Sequence, residues 1–230
     1  MTDGLDGLRG RLKEYFELGA RFAKWRAVIV IGESTPTNGC LEANAHALAR
    51  YAALCQEGGI VPIVEPEVLM DGAHTMQRCA EVTEEALVKL FGQLYEQRVD
   101  LRATILKPSM VLPGTDCPTQ EDVGTVADAT VRCLLKAVPQ AVPGVAFLSG
   151  GQPAELATAR LNAMRVQHPK LPWTLTFSYS RATQQPALDL WAGKPENAQA
   201  AQKALFHRAR LNGLAQKGEY KPELEGQASV

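Results

Sequence analysis

Residues Ile60–Glu67 read IVPIVEPE, a run of apolar side chains that ends in two glutamates. A strand with one solvated face alternates apolar and polar side chains, whereas a strand buried on both faces is apolar throughout. We therefore predict a parallel strand over Ile60–Val64, with Glu65 and Glu67 following its carboxyl end.

Four further runs of this kind lie along the chain, separated by amphipathic stretches. They are AVIVI at 27–31, ATIL at 103–106, VAFL at 145–148 and LTF at 175–177. Strands that alternate with helices indicate βα units around a parallel sheet. The runs begin about 30 to 43 residues apart, as units of a (β/α)8 barrel do. The sequence thus predicts an α/β fold of (β/α)8 TIM-barrel type, incomplete, with about five of the eight βα units present.

Several residues have the form of helix starts. Thr83 precedes two glutamates, which is the order of an N-cap followed by acidic residues in the first turn. Thr119 with Asp122 has the form of a capping box, and Pro153 suits a first helical position. These signals predict helices in the connections between the strands.

Composition excludes several functional classes. The 230 residues contain 24 Lys plus Arg and 25 Asp plus Glu, and the net charge of −1 provides no long-range field for nucleic acid or an anionic membrane. No apolar stretch has the length of a membrane-spanning helix, and the N-terminus lacks a signal-peptide core, so we expect a cytoplasmic protein. Since no linker divides the chain, we expect a single domain over 1–230, with a C-terminal helix and a polar tail from about residue 213.

Neither the cysteines nor the histidines form a metal-binding pattern. The five cysteines include no C-x-x-C pair, which indicates reduced thiols, and the four histidines are scattered. The glycine-rich loops that bind nucleotides are also absent from the sequence. We therefore expect no metal and no cofactor.

Charged residues occur in pairs near the first two predicted strands, and catalytic groups of such barrels lie at strand ends. Lys24 and Arg26 are two positions apart, so they share one face of an extended segment. Glu65 and Glu67 have the same spacing, and two like charges close together favour protonation of one of them. A solvated strand edge is the structural alternative for Lys24 and Arg26.

Lys107 directly follows the third apolar run. A lysine that loses water, or that lies beside another cation, gives up its proton readily. At the mouth of a barrel such a lysine is a candidate nucleophile for forming a Schiff base with a carbonyl substrate. The structural alternative is a lysine whose ammonium group reaches solvent from the strand end.

The last two predicted strands are followed by groups suited to an anion. Ser149, Gly150 and Gly151 form a small-residue turn before a helix, where backbone N–H groups can bind an anion. Arg181 follows the next strand, and its planar guanidinium suits a phosphate. Together they predict a phosphate site in a position that TIM barrels frequently use.

Five segments, in this order and spacing, resemble the class I (Schiff-base) fructose-1,6-bisphosphate aldolases. They are FAKWR at 22–26, VPIVEPE at 61–67, ILKPSMV at 105–111, FLSGGQ at 147–152 and FSYSRA at 177–182. The resemblance covers nearly the whole chain. It implies a glycolytic lyase that cleaves fructose 1,6-bisphosphate to dihydroxyacetone phosphate and glyceraldehyde 3-phosphate through a lysine Schiff base, without a cofactor.

The resemblance also implies roles for the charged residues. Lys107 is the lysine that forms the imine, and Glu65 is the general acid/base that assists its formation. Glu67 is the charge partner beside that lysine, and Lys24 stabilises negative charge that develops during the reaction.

The resemblance implies two phosphate-binding groups. Arg26 binds the far phosphate, and Ser149, Gly150 and Arg181 bind the phosphate next to the ketone. Family members usually have glycine where this chain has Ser180. A side chain there would impair the site if the backbone took a positive φ or approached the phosphate closely.

The resemblance begins after the family's third strand and so lacks the N-terminal portion of the barrel. In the family that portion supplies an aspartate base for C–C cleavage and another phosphate-contacting lysine, so we expect imine formation with impaired cleavage. The chain also ends in Ala228-Ser229-Val230, where many relatives have a tyrosine.

Two alternatives remain open. The chain could be a catalytically impaired remnant that binds sugar phosphates or partner proteins, because an open sheet exposes edges that invite assembly. It could also be a related Schiff-base aldolase for another phosphorylated sugar. We expect a small-molecule sugar phosphate as ligand, a homo-oligomer in solution, and neither nucleic acid nor membrane as a partner.

Overall fold

The computed structural model describes residues 2–226 and contains one sheet of five parallel strands. The strands are β1 (Phe22–Ile29), β2 (Val61–Val68), β3 (Ile105–Leu106), β4 (Gly144–Phe147) and β5 (Thr174–Phe177). Each strand pairs in parallel with the next one along the chain, which is the pairing of consecutive βα units. The prediction of an incomplete α/β barrel with five strands is confirmed.

Seven α-helices accompany the strands in the described part of the chain. They are α1 (Leu8–Glu17), α2 (Asn38–Glu57), α3 (Met76–Glu96), α4 (Val123–Ala137), α5 (Ala154–Gln167), α6 (Arg181–Trp191) and α7 (Ala198–Lys217). Short 3₁₀ turns span Leu101–Ala103, Pro195–Asn197 and Pro222–Leu224. The sequence carries little signal for α6, because its buried residues are the small Ala182 and Ala187 and because Pro186 lies inside it.

Both long strands extend beyond their apolar runs. β1 already begins at Phe22, and β2 continues to Val68. The charged residues therefore lie inside the two strands, where Arg26 is opposite Glu65 in the register. Opposite charges on neighbouring strands stabilise strand pairing at polar positions. The apolar runs alone therefore underestimate the lengths of the strands.

The predicted helix starts are displaced. Thr75 is the N-cap of α3, and Thr83 is buried within that helix. Asp122 rather than Thr119 caps α4, and Pro153 occupies the N-cap of α5 instead of its first helical position. Several Thr and Asp residues near a helix start can each accept a backbone N–H, so the sequence signal does not distinguish them.

The last helix, α7, continues to Lys217, beyond the predicted start of the polar tail, and Gly218 ends it with a positive φ of 79°. The terminal residues Ala228-Ser229-Val230 lie outside the described residues. No helix within residues 2–226 combines the length and the apolar character that crossing a membrane requires. The assignment of one domain to 1–230 stays a prediction.

The hydrophobic core includes central residues of neighbouring strands. Val64, Leu106, Val145 and Phe147 are fully buried. Burying one large apolar side chain contributes about 1.5–3 kcal/mol to stability. The carboxyl ends of these strands are therefore anchored by the buried core.

Two loops at the carboxyl ends of β2 and β3 are joined by backbone hydrogen bonds. The N–H groups of Gly114, Thr115 and Asp116 donate to carbonyl oxygens within residues 70–74 at 2.7 to 2.9 Å. A Cβ atom on Gly114 would lie 2.1 Å from the carbonyl oxygen of Gly72. The approach of the two backbones therefore requires glycine at position 114.

We predict that Gly114→Ala lowers the free energy of unfolding by about 2 kcal/mol or more, because the added methyl group must push two backbones apart. Urea unfolding measures the change. Gly92→Ala in α3 is the control, since a Cβ there meets no atom within 4 Å and alanine favours a helix. Equal unfolding midpoints for the two variants would contradict this explanation.

Candidate active site

A cavity of about 330 Å³ is lined by residues from within β1 and β2 and by residues that follow β3, β4 and β5. The structure brings all the predicted site residues to its lining, namely Lys24, Arg26, Glu65, Glu67, Lys107, Ser149, Gly150 and Arg181. Leu148, Ser178 and Ser180 also line it. Leu148 and Ser178 are additions to the predicted set, and their position directly after β4 and β5 is the signal that could have identified them.

A second cavity, of about 390 Å³, borders α1 and α2. Its lining includes the largely exposed Arg9–Glu57 ion pair but no lysine, cysteine, serine or histidine. Because a mostly buried lysine and two buried carboxylates line the first cavity, we take that cavity as the candidate active site.

The first two strands form a ladder of paired charges along one wall of the candidate site. The ammonium nitrogen of Lys24 lies 3.0 Å from Oε2 of Glu65. Two residues further along each strand, the Arg26 guanidinium donates to Oε2 of Glu67, and this hydrogen bond raises the pKa of Arg26. Both carboxylates are buried, whereas both cations are about half exposed. The cations therefore remain accessible to a ligand.

Lys107 lies at the centre of the site, immediately after the two-residue strand β3. Its side chain is only 12% exposed, and its Nζ is 3.2 Å from Oε1 of Glu65. The two oxygens of Glu65 thus pair with two different lysines, Lys107 and Lys24. Glu67, which the resemblance assigned to the position beside the lysine, forms its ion pair with Arg26.

Hydrogen bonds on both sides position the backbone around Lys107. Its N–H donates to the carbonyl of Val64 at 2.8 Å, and the carbonyl of Pro108 accepts from Leu148 N–H at 3.1 Å. Pro108 has no N–H to continue the ladder. Ser109 extends the connection instead, because its hydroxyl accepts from Val68 N–H at 3.3 Å.

The turn after β4 has the geometry of an anion cradle. Gly150 and Gly151 have φ values of 62° and 102°, which residues other than glycine rarely adopt. A Cβ on Gly151 would lie 3.3 Å from a guanidinium nitrogen of Arg181, so the arginine packs directly against this turn. Backbone N–H groups and a planar guanidinium suit a phosphate.

Ser180 has a negative φ. Its φ is −94°, outside the left-handed region, and its hydroxyl lies 3.4 Å from Oε1 of Gln184. The side chain therefore causes no strain of the kind that a positive φ would impose.

The charges around the cavity favour an anionic ligand. Four cationic side chains face two carboxylates, a formal excess of two positive charges. Within residues 2–226, no group of three or more His, Cys, Asp or Glu side chains is arranged to hold a metal ion. A mostly buried lysine, a buried carboxylate and a glycine turn beside an arginine are groups that suit imine chemistry on a phosphorylated carbonyl compound.

Comparison with known proteins agrees with this geometry. The family described as fructose-bisphosphate aldolase class-I matches residues 1–230. The chain belongs to the class-I fructose-bisphosphate aldolase family. The resemblance seen in the five sequence segments is confirmed.

The aldolase relatives match almost all of the chain. A probable fructose-bisphosphate aldolase class 1 of Xanthomonas axonopodis pv. citri is 59% identical over 96% of the chain and 66% of the relative. Cytosolic fructose-bisphosphate aldolase 4 of Arabidopsis thaliana is 51% identical over 97% of the chain and 57% of the relative. The chain therefore spans slightly less than two thirds of the length of these aldolases.

A solved aldolase structure has the same fold. The Plasmodium falciparum fructose-bisphosphate aldolase, in a complex with TRAP and a small-molecule inhibitor, superposes with a TM-score of 0.93 at 48% identity. The match covers 95% of this chain and 63% of that one.

We predict that Glu65→Gln destabilises the aldolase fold by about 3 kcal/mol, because two lysines then face each other without the buried carboxylate between them. Thermal or urea unfolding at neutral pH measures the loss. Glu57→Gln breaks the exposed ion pair with Arg9 and serves as the control, for which we expect no measurable change. If both variants unfold at the same midpoint, Glu65 does not hold the first three strands together.

Proposed function

We propose that the chain carries the Schiff-base site of a fructose-bisphosphate aldolase, which cleaves fructose 1,6-bisphosphate to dihydroxyacetone phosphate and glyceraldehyde 3-phosphate. The observation that carries this proposal is the contact of 3.2 Å between Lys107 Nζ and the buried Glu65, in a cavity that also contains an anion cradle. Membership of the aldolase family supports the same reaction.

The chemistry begins at Lys107. Transfer of a proton from the Lys107 ammonium group to Glu65 leaves a neutral amine, which attacks the ketone carbon. Glu65 then donates that proton to the carbinolamine hydroxyl, which leaves as water. The protonated imine then accepts the electron pair of the breaking C3–C4 bond, so no metal is needed for that step. Lys24, 3.0 Å from Glu65, supplies positive charge beside the developing negative charge. Cleavage also needs a base that removes the proton of the C4 hydroxyl group, and we assign no residue of this chain to that role.

Substrate binding in this proposal depends on the two ends of the cavity. The cradle of Ser149, Gly150 and Arg181 binds the phosphate next to the ketone, and Arg26 on β1 binds the other phosphate. The excess of positive charge in the lining supports a ligand with two phosphates.

A second candidate function is sugar-phosphate binding or partner assembly without turnover. The observation that favours it is that β1 and β5 each pair with one neighbour within residues 2–226, so the described sheet does not close around the cavity. Sheet edges of this kind favour assembly, which supports a homo-oligomer. The cytosolic Arabidopsis relative supports a cytoplasmic location for either candidate.

Borohydride reduction in the presence of dihydroxyacetone phosphate tests the proposal. We expect mass spectrometry of the digested protein to find the reduced adduct on Lys107, and Lys107→Met to abolish it. Lys89→Met is the matched control, since Lys89 is also mostly buried but pairs with Glu42 on a helix surface. An adduct on another lysine, or none on the folded protein, would falsify the proposed mechanism.

Fructose 1,6-bisphosphate cleavage, measured alongside the mass of the protein in solution, separates the two candidates. Turnover by any assembly state favours the aldolase. Binding of the sugar phosphate without turnover in every assembly state favours the second candidate. A panel of other phosphorylated sugars tests the substrate preference.

A further inference from the structure

Arg160, on α5, is a buried cation outside the lining of the candidate active site. Its residue exposure is 5%, and its side chain makes one hydrogen bond within the described chain, from a terminal guanidinium nitrogen to Oε1 of Gln152 at 2.9 Å. Its Nε is buried without a hydrogen-bond partner in residues 2–226. No carboxylate in that part of the chain pairs with it, and burial lowers the pKa of Arg160.

The guanidinium lies behind the anion cradle. Its partner Gln152 closes the turn, because Gln152 N–H donates to the carbonyl of Ser149 at 3.0 Å. Tyr179 lies in the loop after β5, between two residues that line the cavity. Its hydroxyl donates to the carbonyl of Ala157 on α5 at 3.0 Å. Arg160 thus contacts the turn after β4 through Gln152, and its helix α5 also holds the loop after β5 through Tyr179.

A second buried arginine, Arg208 on α7, provides a comparison. Its exposure is 4%, but it forms an ion pair with Glu225 and donates to Thr158 Oγ1 at 2.6 Å. A buried charge with a carboxylate partner is compensated within the fold, whereas an uncompensated one costs free energy unless a counter-ion binds nearby. Arg160 has no such carboxylate within residues 2–226, so the fold described there leaves its buried charge uncompensated.

We propose that Arg160 is a positioning residue of the phosphate site, which holds the Ser149–Gln152 turn through Gln152 and supplies positive charge from behind it. This inference rests on the proposed function of that turn as the binding site for the phosphate next to the ketone. A bound phosphate compensates the buried guanidinium, so phosphate binding and Arg160 stabilise each other.

Arg160→Gln tests the role of the charge, because it removes the guanidinium and keeps a neutral polar side chain. The full chain is titrated with inorganic phosphate against chloride at constant ionic strength, and the rise in melting temperature is followed. We expect phosphate affinity to fall about tenfold. In borohydride trapping, the half-saturating concentration of dihydroxyacetone phosphate should rise by the same factor while the trapped fraction at saturation stays unchanged.

Arg165→Gln is the matched control, because it removes the same charge from the same helix. Arg165 lines a different cavity and donates to the carbonyl of Pro169. Arg160→Lys retains the charge and should keep the affinity within about threefold of the original. It also serves as the second variant if Arg160→Gln does not fold.

The outcomes separate the inference from the proposed function. Equal phosphate affinities for Arg160→Gln and Arg165→Gln would overturn the inference. It would also be overturned if Arg160→Lys bound phosphate as weakly as Arg160→Gln. Failure to trap any adduct on Lys107 in the unmodified chain, together with a specific loss of phosphate affinity in Arg160→Gln, would uphold the inference and overturn the aldolase mechanism.

Discussion

The buried carboxylate of Glu65, held between the ammonium groups of Lys24 and Lys107, is the interaction on which the site depends. Its two oxygens connect side chains from β1 and from the end of β3 across the strand that lies between them. A buried carboxylate is costly without cations, and two neighbouring lysines repel each other without a carboxylate. Each of the three charges therefore requires the other two, and the proposed imine chemistry uses the same arrangement.

Backbone geometry supports these charges because β3 is so short. Lys107 has no long strand of its own to fix it, so the neighbouring strands do so through hydrogen bonds at Val64 and Leu148. The turn at Gly150 begins directly after the second of these contacts. A backbone hydrogen bond between Leu148 and Pro108 therefore connects the segment of Lys107 to the segment of this turn.

Much of the fold could be predicted from the apolar runs, since strands buried on both faces have a distinctive composition. Strand ends could not, because Arg26 and Glu65 continue the pairing through charged positions. The site residues could be recognised because they flank the apolar runs, although Lys24, Arg26, Glu65 and Glu67 lie inside β1 and β2. The bridging role of Glu65 could not be predicted, because its contacts with residues of two neighbouring strands depend on the register between the strands. Arg160 was hidden for a different reason: on a helix, a buried arginine and a solvated one have the same sequence signal.

The close approach at Gly114 has a consequence for motion. Three consecutive N–H groups cross from the loop after β3 to the loop after β2, so neither loop can open without breaking contacts of the other. We expect the two loops to unfold locally as one cooperative unit, with amide hydrogens that exchange with solvent together. Because the loops adjoin Glu67 near the end of β2 and Lys107 directly after β3, we expect one rate of opening to govern the surroundings of both.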